Sequence, residues 1–339
     1  MNENPRFVLY KDRVLKKYSE LKDLDLKISY SLKTNYEVGK VLENESDSMF
    51  SIHSLKELER VDDKKRGWYF LLGNSEQDLE RIWSLGVRNF VVDLVEDLNL
   101  LGKFIERKKE KIKLLLRINL KENTVFSGRY YVFGMKSEIV NEKILVLREN
   151  EFIEKLGIHF HRKTQNVSEW NLKEDLENFF SKESLEKIDI INIGGGLPGN
   201  YKNTNDKTLK MVFRKISRVK DLFGKEIIVE PGRFIASNSV DLECKIIAIQ
   251  EKTIFVNCSI FNSALDTIVA NIKLLVEGEN ETGEKYMIKG CTPASEDIFR
   301  YSVCLENPKV GDSLKFLNAG AYNYSSDFCD LEKIKTIVV

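Results

Sequence analysis

The feature that most constrains the fold is a regular alternation of short apolar runs and charged amphipathic stretches, from about residue 27 to 233. Each run has the length of a strand and ends in turn residues. The runs are Leu26–Lys33, Ser48–His53, Trp68–Gly73, Asn89–Leu94, Ile112–Leu120, Leu156–His161, Ile188–Gly194 and Ile227–Gly232. Because parallel strands covered on both faces are nearly continuously apolar, this α/β pattern predicts a (β/α)8 TIM barrel.

The pattern changes after about residue 236 to short alternating runs without long helical stretches. These runs are Val240–Ile249, Thr253–Asn257, Tyr286–Ile288, Ser313–Leu317 and Lys335–Val339. Alternation with period two is typical of half-buried strands and predicts a small β-sandwich or β-barrel domain. We therefore expect a barrel over residues 20–235 and a C-terminal β domain over 236–339, joined by an N-terminal strand within 5–12.

Charge and cysteine usage narrow the class of function. Lys and Arg number 53 and Asp and Glu number 53, so no net charge attracts the chain to nucleic acid or to an anionic membrane. The 5 cysteines include no C-x-x-C pair, and no apolar stretch has the length of a signal peptide or a membrane span. We expect a soluble cytoplasmic protein that acts on a small molecule.

Residues whose side chains are suited to catalysis or ligand binding lie at the ends of the apolar runs, where TIM barrels carry their active sites. They are Lys33, His53, Arg117, His161, Gly194-Gly195-Gly196 and Glu230-Pro231-Gly232-Arg233. Three successive glycines let backbone N–H groups converge without interference from Cβ atoms, and loops after the seventh and eighth strands of barrels often bind phosphate. A lysine inside such a pocket is favoured when it forms a Schiff base.

Two histidines alternate along the sixth run, so one is expected to face the barrel and the other the helices. Their H-x-H spacing also fits a metallohydrolase in which both bind a divalent ion. The chain has 3 His in all and no obvious Asp at the end of the eighth run, which disfavours that alternative. We expect no metal, and an outward-facing, structural His159.

Five motifs follow one another along the chain: Tyr30–Asn35, Gly157–His161, Ile193–Gly196, Glu230–Arg233 and Gly320–Tyr322. In this order they resemble the motifs of the fold-type III pyridoxal-phosphate (PLP) decarboxylases, which include ornithine and diaminopimelate decarboxylases. The resemblance covers nearly the whole chain and implies a barrel of the alanine-racemase-like type.

The resemblance implies a role for each matching residue. Lys33 would hold PLP as a Schiff base, His161 would stack on the pyridine ring and Glu230 would pair with the ring nitrogen, so that the ring accepts the electrons released with CO2. The residues implied to hold the phosphate are Gly194, Gly195, Gly196, Gly232, Arg233, Tyr322 and Thr164. The family also implies a homodimer with shared active sites.

Several positions depart from the family pattern. The catalytic cysteine position is Pro293, so either Cys291, two residues earlier, replaces it or the proton donor differs. The substrate-facing positions are Arg117, Lys163, Cys258, Ala294 and Asp297. Acidic residues that read a distal ammonium are replaced by Ala294 and Cys258, so we expect poor turnover of ornithine, lysine and diaminopimelate.

Three functions follow as hypotheses from the sequence. The first is decarboxylation of an amino acid or of a derived substrate, such as a carrier-attached molecule or a siderophore precursor. The second is a PLP-dependent racemase or another non-decarboxylating enzyme. The third is a non-catalytic regulator that resembles antizyme inhibitors; retention of Lys33, Glu230 and Arg233 disfavours it.

Overall fold

A closed parallel barrel forms the first part of the protein. The computed structural model describes residues 4–119, 133–162, 166, 170–204, 208–323 and 325–339. After β1 (Arg6–Leu9), the strands that close the barrel in this part of the chain are β2 (Lys27–Ser31), β3 (Met49–Ile52), β4 (Gly67–Leu71), β5 (Asn89–Val92), β6 (Ile112–Arg117), β7 (Ile153–His159), β8 (Ile190–Asn192) and β9 (Glu226–Val229). All neighbours pair in parallel and β9 returns to β2, which confirms the predicted TIM barrel.

Helices alternate with the barrel strands, and some of them begin or end at capping residues. They are α1 (Lys11–Lys22), α2 (Tyr36–Glu45), α3 (Leu55–Glu59), α4 (Glu76–Ser84), α5 (Val95–Lys108), α6 (Ser137–Leu147), α7 (Leu172–Phe179), α8 (Lys182–Lys187), α9 (Leu209–Phe223) and α10 (Arg233–Ala236). Ser75 and Asp78 form a capping box at the start of α4. Gly224 ends α9 with a φ of 59°, a left-handed conformation that glycine adopts without a Cβ clash.

The core has one layer inside the barrel and another between strands and helices. The inner cluster consists of Trp68, Phe70, Val91, Leu115, Ile190 and Ile228. A Cβ at Gly157 would lie 2.7 Å from Cδ2 of Leu115, so this glycine lets strand β7 approach the inner cluster closely. The inner cluster fills the barrel below its open end and leaves the strand ends for polar residues.

A mixed sheet with two short helices forms the second part of the protein. Its elements are β10 (Val240–Gln250), β11 (Thr253–Val256), α11 (Ile260–Ser263), α12 (Asp266–Val269), β12 (Leu275–Val276), β13 (Glu284–Lys289), β14 (Ile298–Leu305), β15 (Ser313–Leu317) and β16 (Lys335–Val338). The order of its central strands is β12-β15-β10-β11-β13-β14. Strand β1 pairs with β10 in antiparallel and with β16 in parallel orientation, so both ends of the chain join this sheet.

Strand β14 was not predicted from the sequence because its pattern breaks the alternation. Neighbouring residues Phe299 and Arg300 are both buried, beside register shifts in the pairing with β13. The Arg300 guanidinium is paired at 3.0 Å with Glu279, which compensates the burial of its charge. In the described part of the chain, no helix is both long and apolar enough to cross a membrane.

Candidate active site

Lys33 lies at the open end of the barrel, in a single 3₁₀ turn that follows β2. Its Nζ is 3.4 Å from Nε2 of His53, which directly follows β3. Nδ1 of His53 is 3.4 Å from Oε2 of Glu57, and the imidazole stacks on Phe70 at 4.6 Å between ring centroids. The segments that follow two adjacent strands therefore place an amine next to an imidazole, and that imidazole next to a carboxylate.

Glu230 is the central buried carboxylate of the site and is 4% exposed. Nδ2 of Asn192 donates to its Oε1 at 2.9 Å, and Nε2 of His159 lies 3.3 Å from its Oε2. Burial alone would raise the pKa of Glu230, but the charge and hydrogen bond of His159 outweigh it and hold the pKa well below its ordinary value. Glu230 is therefore an ionised carboxylate with a partner on each oxygen.

The orientation predicted for His159 was wrong. It does not face the helices: its side chain is fully buried, contacts Glu230 and meets the edge of Phe70 at 5.1 Å. Strict alternation fails because β7 ends at His159, and the chain beyond it no longer follows the strand geometry. His159 and His161 therefore both act on the Glu230 region.

The glycine loop after β8 packs against His161. Gly194 has a φ of 66°, which suits glycine, and its N–H donates to Oδ1 of Asn192 at 2.9 Å. The N–H of Gly195 donates to Nδ1 of His161 at 3.2 Å. Although part of this imidazole faces solvent, desolvation by the surrounding protein lowers its pKa, against the opposing charge of Glu230. His161 is therefore a neutral ring held by the loop.

Arg233 begins α10 and is 4% exposed. Its guanidinium is bound by both carboxylate oxygens of Asp266, donates to the Tyr201 hydroxyl at 3.0 Å and lies 4.9 Å from the centre of the Tyr322 ring. The N–H of Tyr322 donates at 3.1 Å to the carbonyl oxygen of Thr34. These contacts bring the C-terminal motif beside the first barrel strand.

The residues at this end of the barrel fit a phosphorylated pyridine. A Cβ at Gly195 would lie 2.9 Å from the carbonyl oxygen of Glu230, and a Cβ at Gly232 would lie 3.2 Å from Cβ of Thr34, so both positions require glycine for the loops at this end of the barrel to pack together. The Thr34 hydroxyl is buried and, among the described residues, has no hydrogen-bond partner. An ionised carboxylate, an amine and a glycine cradle together can bind a protonated pyridine, an aldehyde and a phosphate.

The loop that contains Cys291 lies in the β sheet domain. Cys291 is an exposed residue, but partial desolvation of its thiol, together with the electrostatic effects of Cys258 and Asp297, raises the pKa of the thiol. Asp297 accepts hydrogen bonds from the N–H groups of Ile260 and Thr292 and from the Thr292 hydroxyl at 2.6 Å. The carboxylate predicted to face the substrate is thus used inside the domain, where it fixes the loop.

Other predicted substrate residues lie in different environments. Cys258 is fully buried beside Cys244, and burial raises the pKa of its thiol, whereas Ala294 is partly exposed. Arg117 ends β6 and pairs with the buried Asp93 at 3.0 Å. Lys163 and Thr164 lie outside the described residues.

Three side chains that contact the candidate site residues were missed by the sequence reasoning. Asn192 had a detectable signal, because it is a polar residue just before the glycine loop in an otherwise apolar run. Glu57 follows the strand-end His53 by one helical turn, a spacing that places both on one face. Asp266, the partner of Arg233, had no sequence signal, since it lies in the other domain's chain segment.

Comparison with known proteins agrees with this geometry. Residues 11–237 match the family model described as pyridoxal-dependent decarboxylase, pyridoxal binding domain. Among curated relatives, a 2-((L-alanin-3-ylcarbamoyl)methyl)-2-hydroxybutanedioate decarboxylase of Staphylococcus aureus is 23% identical over 75% of this chain and 71% of its own length. An L-glutamyl-(BtrI acyl-carrier protein) decarboxylase of Niallia circulans is 22% identical over 75% of this chain and 67% of its own length.

Solved structures share the fold over the whole chain. Diaminopimelate decarboxylase from Helicobacter pylori, complexed with L-lysine, has a TM-score of 0.83 at 19% identity, and the match covers 100% of this chain and 92% of that one. Lysine/ornithine decarboxylase from Vibrio vulnificus, complexed with cadaverine, has a TM-score of 0.82 at 20% identity, with 99% and 94% covered. Since the family model spans more than half of the chain, the protein belongs to the pyridoxal-dependent decarboxylases and is a PLP-dependent amino acid decarboxylase.

Proposed function

We propose that this decarboxylase acts on an amino acid or amino-acid derivative whose distal end is neutral, anionic or attached to a carrier. The observation that carries the proposal is the chemistry of the loop that would face this end. Ala294 has no polar side-chain atom, Cys258 is buried, and both oxygens of Asp297 are occupied by hydrogen bonds within the domain. A substrate ammonium would find no open carboxylate at these positions.

The energetic penalty against an ammonium is large. A charged group that loses water without a partner costs more than the about 1–3 kcal/mol of a neutral unsatisfied group. This penalty would lower kcat/KM for a substrate with a distal ammonium, relative to one without it, by about tenfold to several hundredfold or more. Two relatives named for a carrier-bound glutamyl substrate and for a hydroxybutanedioate derivative support the proposal, since neither name describes a free diamine.

We assign the cofactor contacts as follows. PLP, when bound, supplies an electron sink for the electron pair released as CO2 leaves. Lys33 would hold it covalently, Glu230 would keep a proton on the ring nitrogen, and the neutral ring of His161 would lie on its face. The phosphate would bind the glycine loop Gly194–Gly196 and Gly232, with Arg233 and Tyr322 beside it.

Cys291 and the homodimer belong to the same proposal. The exposed thiol lies in the sheet domain, whereas Lys33 lies in the barrel, so a two-fold dimer would let one subunit complete the site of the other. Mixing Lys33→Ala with Cys291→Ala subunits should then restore up to about a quarter of the activity, because each mixed dimer contains one intact site. No recovery after confirmed subunit exchange would contradict shared sites.

The substrate proposal is tested by CO2 release across D- and L-amino acids. We expect turnover of acidic or carrier-attached amino acids and poor turnover of ornithine, lysine and meso-diaminopimelate. A kcat/KM of about 10⁴ M⁻¹s⁻¹ or higher for any of these three would overturn the proposal, since that is an ordinary enzymatic value. Lys33→Ala, which should form no borohydride-reducible band with PLP, tests the covalent attachment separately.

A further inference from the structure

His53 is a second titratable group in contact with the amine of Lys33. Its Nε2 is 3.4 Å from Nζ of Lys33, and its Nδ1 is 3.4 Å from Oε2 of Glu57 on the opposite side of the ring. An amine, an imidazole and a carboxylate in this order form the arrangement in which a base is oriented by a third group. None of the roles assigned above uses His53 or Glu57.

Glu57 lies in α3, the short helix that follows β3, and orients the imidazole. It is 6% exposed, and its Oε2 accepts the backbone N–H of His53 at 2.7 Å. Its own N–H is capped by the Ser54 hydroxyl at 3.2 Å at the start of α3. Phe70 stacks on the imidazole, so Phe70 and Glu57 together orient the ring, and Nε2 faces Lys33.

The charges around His53 make it a neutral acceptor next to an amine. Although the side chain of His53 is 31% exposed, desolvation by the surrounding protein lowers its pKa most and the positive charge of Lys33 lowers it further, whereas the carboxylates of Glu57 and Glu230 oppose this. For Glu57, burial favours the neutral form, but the hydrogen bonds from His53 outweigh it and lower the pKa. At neutral pH the imidazole is thus free to take a proton, and the ionised Glu57 stabilises the imidazolium that forms.

We propose that His53, oriented by Glu57, takes the proton that the Lys33 ammonium must lose before its amine can bond to a carbonyl carbon. The proton moves from Nζ of Lys33 to Nε2 of His53, while Nδ1–H is donated to Glu57. In the overall step Nζ of the neutral amine would form a C=N bond with the aldehyde carbon and give up its two remaining protons. The carbonyl oxygen would leave with these two protons as water, and the proton held by His53 would pass to the imine nitrogen. The inference rests on the covalent role proposed for Lys33 and does not depend on the substrate.

The experiment measures formation of the covalent bond rather than decarboxylation. Apoenzyme is mixed with PLP in a stopped-flow spectrometer, and borohydride reduction followed by peptide mass spectrometry locates the modified lysine. His53→Ala should form the bond about 100-fold more slowly, within the range for loss of a general base. Glu57→Gln, which keeps the size of the side chain and removes its charge, should slow it about tenfold, a smaller loss because the base itself remains.

A matched pair of variants separates proton transfer from packing. His53→Gln keeps most of the side-chain volume and can donate a hydrogen bond but cannot carry a proton, so it should be as slow as His53→Ala. Added imidazole should restore the rate of His53→Ala in proportion to its neutral form. Three results would each contradict the proposed proton transfer from Lys33 to His53. They are a near-normal rate in His53→Ala, a near-normal rate in His53→Gln, and failure of added imidazole to restore the rate of His53→Ala.

The same data separate the proposed role of His53 from the covalent role of Lys33. If reduction labels a lysine other than Lys33 in the wild-type protein, the covalent role of Lys33 is wrong, and so is the proposed proton transfer from Lys33 to His53. If Lys33 is labelled and the His53 variants react at the wild-type rate, Lys33 is the covalent residue and only the proton transfer to His53 is refuted.

Discussion

Replacing Asn192 with Leu removes the side chain that connects Glu230 to the glycine loop. Asn192 is fully buried, donates to Oε1 of Glu230 at 2.9 Å and accepts the N–H of Gly194 at 2.9 Å. A hydrogen bond to a charged group contributes about 1.5–3 kcal/mol, and a buried N–H without a partner costs about 1–3 kcal/mol. We therefore expect Asn192→Leu, which keeps a side chain of similar length, to lower the free energy of unfolding by about 3–5 kcal/mol at pH 7.

The loss should depend on pH because Glu230 is the affected acid. The native pKa of Glu230 is depressed, so its stabilisation is complete above the unfolded value of about 4.3 and is lost as the pH falls below it. In Asn192→Leu this depression is smaller. The difference in unfolding free energy between wild type and variant should therefore shrink by up to about 1 kcal/mol at about pH 3.5.

Urea denaturation at both pH values measures these quantities. Asn141→Leu is the matched control, because Asn141 donates to the carbonyl oxygens of Ser137 and Phe179, both at 2.8 Å, and these bonds involve no carboxylate. We expect the control to be destabilised by an amount that does not change with pH. A loss below about 1 kcal/mol in Asn192→Leu, or an equal pH dependence in both variants, would refute the reasoning.

Three further predictions concern the glycine loop after β8, the buried Arg300 of the sheet domain and the thiol of Cys291. Gly195→Ala places a Cβ 2.9 Å from the carbonyl oxygen of Glu230, so absorbance titration should show PLP affinity reduced by a large factor, about tenfold or more. Arg300→Met removes one of two cationic partners of the Glu279 carboxylate and leaves Lys202 at 3.1 Å, so it should lower the free energy of unfolding, measured in urea, by about 1.5–3 kcal/mol, the contribution of a hydrogen bond to a charged group. Because the pKa of Cys291 is raised, its iodoacetamide alkylation at about pH 8, followed by mass spectrometry, should be slower than that of an unstructured peptide thiol.

The barrel and the residues at its open end were predictable because each strand is recognisable from its own local sequence, as an apolar run that ends in turn residues. The apolar runs indicate where the strands lie. Because parallel barrel strands all end at the same face, Lys33 and Glu230 can be placed at that face without knowing any contact between them. The face of His159 was mispredicted because alternation holds only within a strand, and β7 ends at that residue. Contacts between distant segments, such as the bond of Asp266 to Arg233, leave no periodic trace in the sequence.

Pairing of β1 with β16 has a consequence for synthesis of the protein. Residues 6–9 lie in register with 335–338, so β1 leaves the ribosome long before its parallel neighbour has been synthesised. The sheet domain therefore cannot be completed until those residues are made, although the barrel strands are already available. Because contacts of such long sequence separation form slowly, β1 remains an unpaired edge on this side during translation, which favours association with a chaperone during that interval.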